Sequence, residues 1–380
     1  MYVHSHKGCG EFATGPIRKI SPSIPLWFRL KQIQILMKKW TRIMKKANLF
    51  WLIIFLSDAF MGTAVTAVTI TDYTGTVVTI VSPPQRIVSL SPSNTEILFA
   101  LGLGDRVAGV TEYCSYPPEA LEKPKIGGYR TVSIEKVIAL KPDLILASDG
   151  NGEEVLENLR SLGYTVVALR PETLAQVLAD IQLVGQATGA DANATRLVGD
   201  LNNRIREVEA RVATVKGRPT VAHVIWNDPI YVSGNGTFQD ELIKMAGGRN
   251  AFSEVEGWRN IGIEDFIRAD PDVLIVNTGT GMGGGEDSIA QFFLNEPRFS
   301  TVSALRNNRV YLIDTDTVNR ASPRIIDALE RFAQDIHPSL FGNATSAAIP
   351  ASETQAPGFG ALIALAACTG VALTLKRRAP

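Results

Sequence analysis

From Val68 onward, short apolar runs and longer stretches with helical spacing take turns along the chain. Aliphatic and β-branched residues gather at 86–90, 107–111, 143–148 and 165–169, with helical patterns near 95–101, 134–140 and 153–162 between them. This alternation predicts a mostly parallel sheet. A second series follows, with an apolar run at 219–226, a helix at 238–246, strands at 273–276 and 309–313, a helix near 289–294 and a last helix at 323–336. The pattern reads as an α/β protein with two Rossmann-like lobes, 68–187 and 217–340. Thr95-Glu96-Ile97-Leu98 before Gly102 corresponds loosely to Gln239-Asp240-Glu241-Leu242 before Gly247, so the lobes look related.

Between the lobes, Leu197, Leu201, Ile205, Val208, Val212 and Val215 follow four- and three-residue steps, the stripe of an amphipathic helix. The connector is assigned to 188–216, with Asp191 as a cap and Gly217 and Pro219 as stops. About 24 residues at roughly 1.5 Å each give a rod of about 36 Å. Such a rod predicts a cleft whose width changes modestly between empty and filled states. A helix lying flat across one domain fits the pattern equally well.

One unit occurs twice. Gly128-Tyr129-Arg130-Thr131-Val132-Ser133-Ile134-Glu135, continuing to Ile138 and Pro142-Asp143, is echoed without a gap by Gly257-Trp258-Arg259-Asn260-Ile261-Gly262-Ile263-Glu264, then Ile267 and Pro271-Asp272. Each copy reads as loop, helix and strand.

The ends carry signals of another kind. Met44-Lys45-Lys46, an apolar run at 49–56 and Val65-Thr66-Ala67 have the layout of a secretory signal over 44–67, cleaved after Ala67. Residues 1–43 then precede the signal, and Met44 is expected to be the true start. Residues 341–356 are rich in Ser, Thr, Ala and Pro and read as an extended stalk. Pro357-Gly358-Phe359, an apolar stretch to Leu375 and Lys376-Arg377-Arg378 complete a membrane anchor over 357–380. This tripartite end resembles archaeal Pro-Gly-Phe sorting signals, which imply removal by an archaeosortase and a lipid-type anchor. Sequons at Asn193, Asn235 and Asn343 suit an exported surface.

Lysine plus arginine equals aspartate plus glutamate at 38 each, so no global field favours nucleic acid. Cys9, Cys114 and Cys368 fall in three separate segments and offer neither a disulfide framework nor a thiolate metal site. After Ala67 only His223 and His337 remain, far apart, so no metal ligand set is assigned. His223 lies in an apolar strand and reads as a packed core residue.

The run 86–96, the Tyr116-Pro117-Pro118 turn, Ile134-Glu135 through Lys141-Pro142-Asp143, the stretch 226–234 and Arg320-Ala321-Ser322-Pro323-Arg324 together resemble the helical-backbone substrate-binding proteins of ABC importers, which carry cobalamin, ferric siderophores or haem. The resemblance covers about 78–337 and is nearest to the cobalamin-binding branch. It implies a class III periplasmic-binding-protein fold, with two lobes joined by one bridging helix. It also implies a monomer that serves a permease dimer driven by a cytoplasmic ATPase, with no cofactor of its own and a corrinoid or ferric complex as cargo. In such proteins a first-turn glutamate of each lobe docks on permease arginines, and Glu135 and Glu264 match those positions. Either alone reads as a carboxylate suited to the helix dipole; the pair makes a two-point clamp.

Ligand residues are expected on loops at the carboxyl ends of the strands. The candidates are Tyr113, Tyr116 and Tyr129 from the first lobe and Trp226, Tyr231 and Trp258 from the second, aromatic faces for a large, partly apolar ligand. Arg130 and Arg259 could meet ligand oxygens or stand as solvated charges. Arg320 and Arg324, at a Ser-Pro helix start, could attract an anion or form a structural salt bridge. Two other classes compete. Gly279-Thr280-Gly281-Met282-Gly283-Gly284 with Asp314 loosely fits a dinucleotide-binding enzyme, but without a base, nucleophile or metal set. Export, stalk and anchor would also suit a surface adhesion module.

Overall fold

The computed structural model describes residues 27, 30, 31, 33–39, 67–279 and 287–341. The signal up to residue 66, the stalk and anchor from 342 onward, the Asn343 sequon and positions 280–286 of the glycine-rich stretch lie outside them. Residues 33–39 are helical, and belong to a separate unit from 66 onward.

Within the main unit, an antiparallel hairpin of β1 (Val68–Thr71) and β2 (Val77–Ile80) comes first. The first lobe then runs β3 (Ile87–Ser89), α1 (Pro92–Ala100), β4 (Val107–Val110), α2 (Ile134–Ala139), β5 (Leu144–Ser148), α3 (Glu153–Ser161), β6 (Val166–Leu169) and α4 (Leu174–Thr188). Its sheet is parallel throughout, in the order β4-β3-β5-β6. Every residue of β5 and β6 is buried, as strands covered on both faces require.

The connector, α5 (Asp191–Val212), is shorter than 188–216. Thr188 closes α4 instead, because Gly189 adopts a left-handed conformation (φ 69°) that ends that helix and turns the chain into the next. Asp191 is the first helical residue and not the cap; the cap position is Ala190. The helix ends at Ala213, ahead of Gly217 and Pro219. Its 22 residues span about 33 Å. It packs on α4 on one side and, on the other, on α11 (Ile325–Ile336), so it joins the lobes and does not lie across one of them. Leu201, Ile205 and Val208 are buried in a core that runs from Ile181 and Val184 of the first lobe to Leu329 and Phe332 of the second. Arg204 adds ion pairs to Asp327 and Glu330, each at 2.6 Å. The Asn193 carboxamide donates to the Leu101 carbonyl at 2.8 Å.

The second lobe contains β7 (Thr220–Asn227), β8 (Ile230–Ser233), α6 (Phe238–Met245), β9 (Arg249–Asn250), β10 (Trp258–Ile261), α7 (Ile263–Ala269), β11 (Val273–Thr278), α8 (Ser288–Asn295), α9 (Ser303–Arg306), β12 (Val310–Asp314) and α10 (Thr315–Asn319), then α11 and α12 (Pro338–Phe341). Its sheet is ordered β10-β8-β7-β11-β12, with β9 also beside β7. Here β7, β11 and β12 are parallel, whereas β8 and β10 extend the sheet antiparallel. A second core gathers around Phe266, Phe293 and Phe299.

The lobes share a register. Ile87, Val88 and Ser89 pair with Leu144, Ile145 and Leu146; Val221, Ala222 and His223 pair with Val273, Leu274 and Ile275. In each lobe the aspartate of the repeated Pro-Asp anchors the start of the first strand. Asp143 accepts from the backbone N–H of Gln85 and Arg86 at 2.7 and 2.8 Å, and Asp272 from that of Thr220 at 2.8 Å.

Candidate functional site

A cleft of about 650 Å³ opens between the lobes, a size usual for small-molecule sites. Its second-lobe wall is aromatic. Trp226 and Tyr231 face each other across the β7–β8 pair, and Trp258 sits opposite Ser233 on the edge strand β10. These three rings are 37, 38 and 51% exposed although they are large and apolar. In β8 strand alternation explains why: Ile230 and Val232 take the buried positions and leave Tyr231 on the open face, while in β7 a register shift between Val224 and Trp226 accompanies the exposure of Trp226. Tyr129, from the first copy of the repeated unit, closes the opposite side with Asp149.

Polar partners fix the rings. Tyr129 bonds the Ser148 hydroxyl at 2.7 Å, and burial raises the pKa of its phenol above the ordinary value, so it stays protonated at neutral pH. Trp258 Nε1 donates to Gln239 Oε1 at 3.2 Å, and Gln239, itself buried, donates to the Val318 carbonyl and to Asn319 Oδ1 at 3.0 and 2.7 Å. Trp226 Nε1 donates to the Asp228 carbonyl at 2.8 Å. Asp149 is the only charged residue among the described lining residues. Gln239, Asn319, Asp149, Ile225 and Phe238 also line the cleft and were not among the sequence candidates. Only the aromatic signal was available for this site, and Gln239 carries none.

The other sequence candidates lie elsewhere. Arg130 and Arg259 are exposed and line no part of this cleft; Arg259 donates to the Glu256 carbonyl at 3.3 Å. Tyr113 and Tyr116 also stand outside it, beside the junction of the lobes. There the Arg324 guanidinium lies 4.1 Å from the Tyr116 ring centre, and Arg320 donates to the Tyr113 carbonyl at 3.1 Å.

That junction centres on Glu96 of α1, whose side chain is 1% exposed. It accepts from Arg320 Nη1 at 2.9 Å, from Arg324 Nε and Nη2 at 2.9 and 2.7 Å, and from the Ser322 hydroxyl at 2.6 Å. Arg320 and Arg324 therefore form a salt bridge between the lobes, satisfying a buried carboxylate that would otherwise be costly. A second tie runs the other way, with Glu241 of α6 accepting from the backbone N–H of Leu174, the first residue of α4, at 2.9 Å.

Glu135 and Glu264 occupy the first turns of α2 and α7, both exposed and with no ion pair to another described residue. Ser133 caps α2 by accepting from Lys136 N; Gly262 leads α7 without a side-chain cap. Of the remaining histidines, His223 is fully buried between Ser233 and Asn277, and burial lowers its pKa to about 4. Among the described residues no cluster of three or more His, Cys, Asp or Glu is placed to hold a metal. Asp314, the acid weighed for a dinucleotide ribose, instead accepts from Thr317 N and Oγ1 at 2.8 and 2.7 Å as a helix cap.

The protein thus presents two similar lobes, a tied junction and a cleft lined by aromatics. Residues 87–317 match a family described as periplasmic binding protein. An ABC transporter substrate-binding lipoprotein of Bacillus subtilis, YvrC, is 34% identical over 292 residues, 75% of this chain and 90% of the relative. The structure of the periplasmic vitamin B12-binding protein BtuF of Vibrio cholerae aligns with a TM-score of 0.58 at 29% identity, over 68% of this chain and 98% of that one. The periplasmic haem-binding protein RhuT of Roseiflexus sp. RS-1 aligns with a TM-score of 0.60 at 29% identity, over 67% and 99%. The chain belongs to the periplasmic binding protein family, the substrate-binding proteins of ABC transporters.

Proposed function

We propose that this protein captures cobalamin or a related corrinoid in the interlobe cleft and delivers it to an ABC permease powered by a separate ATPase. One observation carries the reading: the cleft pairs a wall of Trp226, Tyr231 and Trp258 with Tyr129, and no described lining residue is basic. Aromatic faces suit the rim and faces of a large ring system. Haem would bring two carboxylates into a cleft whose charged lining residue is Asp149, a like-charge encounter. Glu135 and Glu264 are the proposed docking pair, exposed at equivalent places on the two lobes. The signal at 44–67 and the anchor at 357–380 read from the sequence would hold the lobes at the outer face of the membrane.

Titration of the purified full chain with cobalamin, haem and a ferric hydroxamate, followed by tryptophan fluorescence, tests the cargo. Saturable quenching is expected with cobalamin. Saturation by haem or the hydroxamate with none by cobalamin would reject the corrinoid assignment.

A further inference from the structure

Beneath Tyr129 a smaller chamber of about 130 Å³ adjoins the aromatic cleft; Tyr129, Asp149 and Asn319 line both. Its remaining wall mixes polar side chains with Ile97, Leu169, Pro171 and Ala321. Ser91 and Asn94 come from the start of α1, Ser148 from the end of β5, and Asp180 from the middle of α4. At roughly 30 Å³ per water, the space holds about four waters, or one side arm of four or five heavy atoms.

Asp180 is the unusual member. Its neighbours on α4, Val177, Ile181 and Val184, are buried in the apolar core. Its own Oδ2 atom is buried and has no hydrogen-bond partner. Burial pushes its pKa up to about 7. An unpartnered carboxyl oxygen in such a place is destabilising, and a neutral side chain would be cheaper. Oδ2 is closed off from solvent, so a donor arriving with the cargo would meet the other oxygen, Oδ1.

Resting on the corrinoid reading of the cleft, we infer that this chamber is the subsite that selects the cargo's edge substituents, accepting a neutral primary-amide arm on Asp180 and rejecting a carboxylate arm. An amide N–H₂ supplies the donors that Asp180 lacks, while the amide oxygen can accept from the Ser91 or Asn94 side. A carboxylate of the same size brings no donor and meets Asp149 and Asp180. Specificity then comes as much from the repulsive element as from the attractive one.

The test compares cobalamin with its monocarboxylic acids, in each of which one amide arm has become a carboxylate. The full-length protein is titrated alongside Asp180→Asn and Asp180→Leu, with melting temperatures recorded to verify folding. Wild type is expected to prefer cobalamin over at least one of the acids by about tenfold or more, the span of one charged hydrogen bond. Asp180→Asn keeps the shape but supplies a donor, and should erase or invert that preference. Asp180→Leu should weaken cobalamin binding while raising the melting temperature. Calorimetry in buffers of different ionisation enthalpy gives a second readout. Cobalamin binding at pH 7 should release protons in wild type, because a donor favours the ionised carboxyl, and release should vanish in Asp180→Asn. Tyr129 and Asp149 are the other titratable groups lining the chamber and remain in both proteins. A preference unchanged in both folded variants would overturn the chamber while leaving the corrinoid reading intact. Failure of wild type to bind any corrinoid would sink both.

Discussion

The two copies of the repeated unit differ most where they face the cleft. Their mechanical parts superpose in role: the same strand register, an aspartate holding the first strand, and a residue with positive φ before the Pro-Asp, Lys141 at 48° and Asp270 at 39°. The aromatics are mounted differently. Tyr129 sits in a loop with one isolated bridge, Gly127 to Val132, and its ring covers Gly150, where any Cβ would collide with it. Trp258 begins an edge strand laddered to β8 and is oriented from below by Gln239. Backbone joints tolerate little change because each satisfies buried or strand-end amides. Rings at a cleft need only a face, so each lobe could support its ring with whatever partner lay beneath.

The largest test of this comparison concerns the half of the unit that is the same. Replacing both Glu135 and Glu264 by alanine is expected to abolish transport in a cobalamin-uptake assay while leaving ligand affinity unchanged; uptake at the wild-type rate would break the assignment. Next comes Glu96 of α1 against Asp240 of α6, a buried carboxylate in each lobe. Glu96 reaches across to the other lobe, whereas Asp240 bonds Asn250 and Lys244 within its own at 3.0 and 2.6 Å. Glu96→Ala should cost about 3–5 kcal/mol by leaving the largely buried Arg324 without its carboxylate and Arg320 with Asp316 alone. Asp240→Ala should cost about 1–2 kcal/mol, with urea unfolding as the measurement for both; equal losses would deny the junction its special weight.

A smaller effect separates the rings. Trp258→Ala is expected to weaken cobalamin binding about 30- to 100-fold, and Tyr129→Phe, which keeps the ring but loses the Ser148 contact, only a few-fold. The reverse order, read by fluorescence titration, would move the anchor to the first lobe. The smallest concerns Ser89 and His223, equivalent strand positions occupied by a hydroxyl and an imidazole. The folded-state pKa of His223, about 4, lies below the ordinary 6.5. The unfolded chain therefore binds the extra proton first, and stability from this group is lost as pH falls from about 6.5 towards 4. Between pH 7 and 5 the loss is on the order of 2 kcal/mol. Asp180 and Asp335, whose pKa values burial raises to about 7 and about 6, act in the opposite direction. The diagnostic is thus the difference between wild type and His223→Gln in urea at the two pH values, and parallel behaviour would place the acid sensitivity elsewhere.

What could be read along the chain was whatever repeats at short range. Apolar runs and helical stripes located many elements within a residue or two at most ends, though not α4 or β8, and duplication of Ile-Glu and Pro-Asp announced two related lobes. Four of the proposed ligand residues, Tyr129, Trp226, Tyr231 and Trp258, are aromatics near strand ends and line the cleft. Tyr113 and Tyr116 share that aromatic signature yet stand outside the cleft, as do Arg130 and Arg259, since composition near a strand end does not say which way a loop turns. Tertiary structure alone decided the rest. Glu96 meets Arg320 and Arg324 across more than two hundred residues, Gln239 supports Trp258 from another element, and Asp180 is left without a partner in a wall assembled from several segments. Periodicity is a property of neighbours along the chain, so it is written in the sequence. The pairing of a buried charge, or its absence, depends on which distant segments arrive beside it, and that is settled only when the lobes have packed.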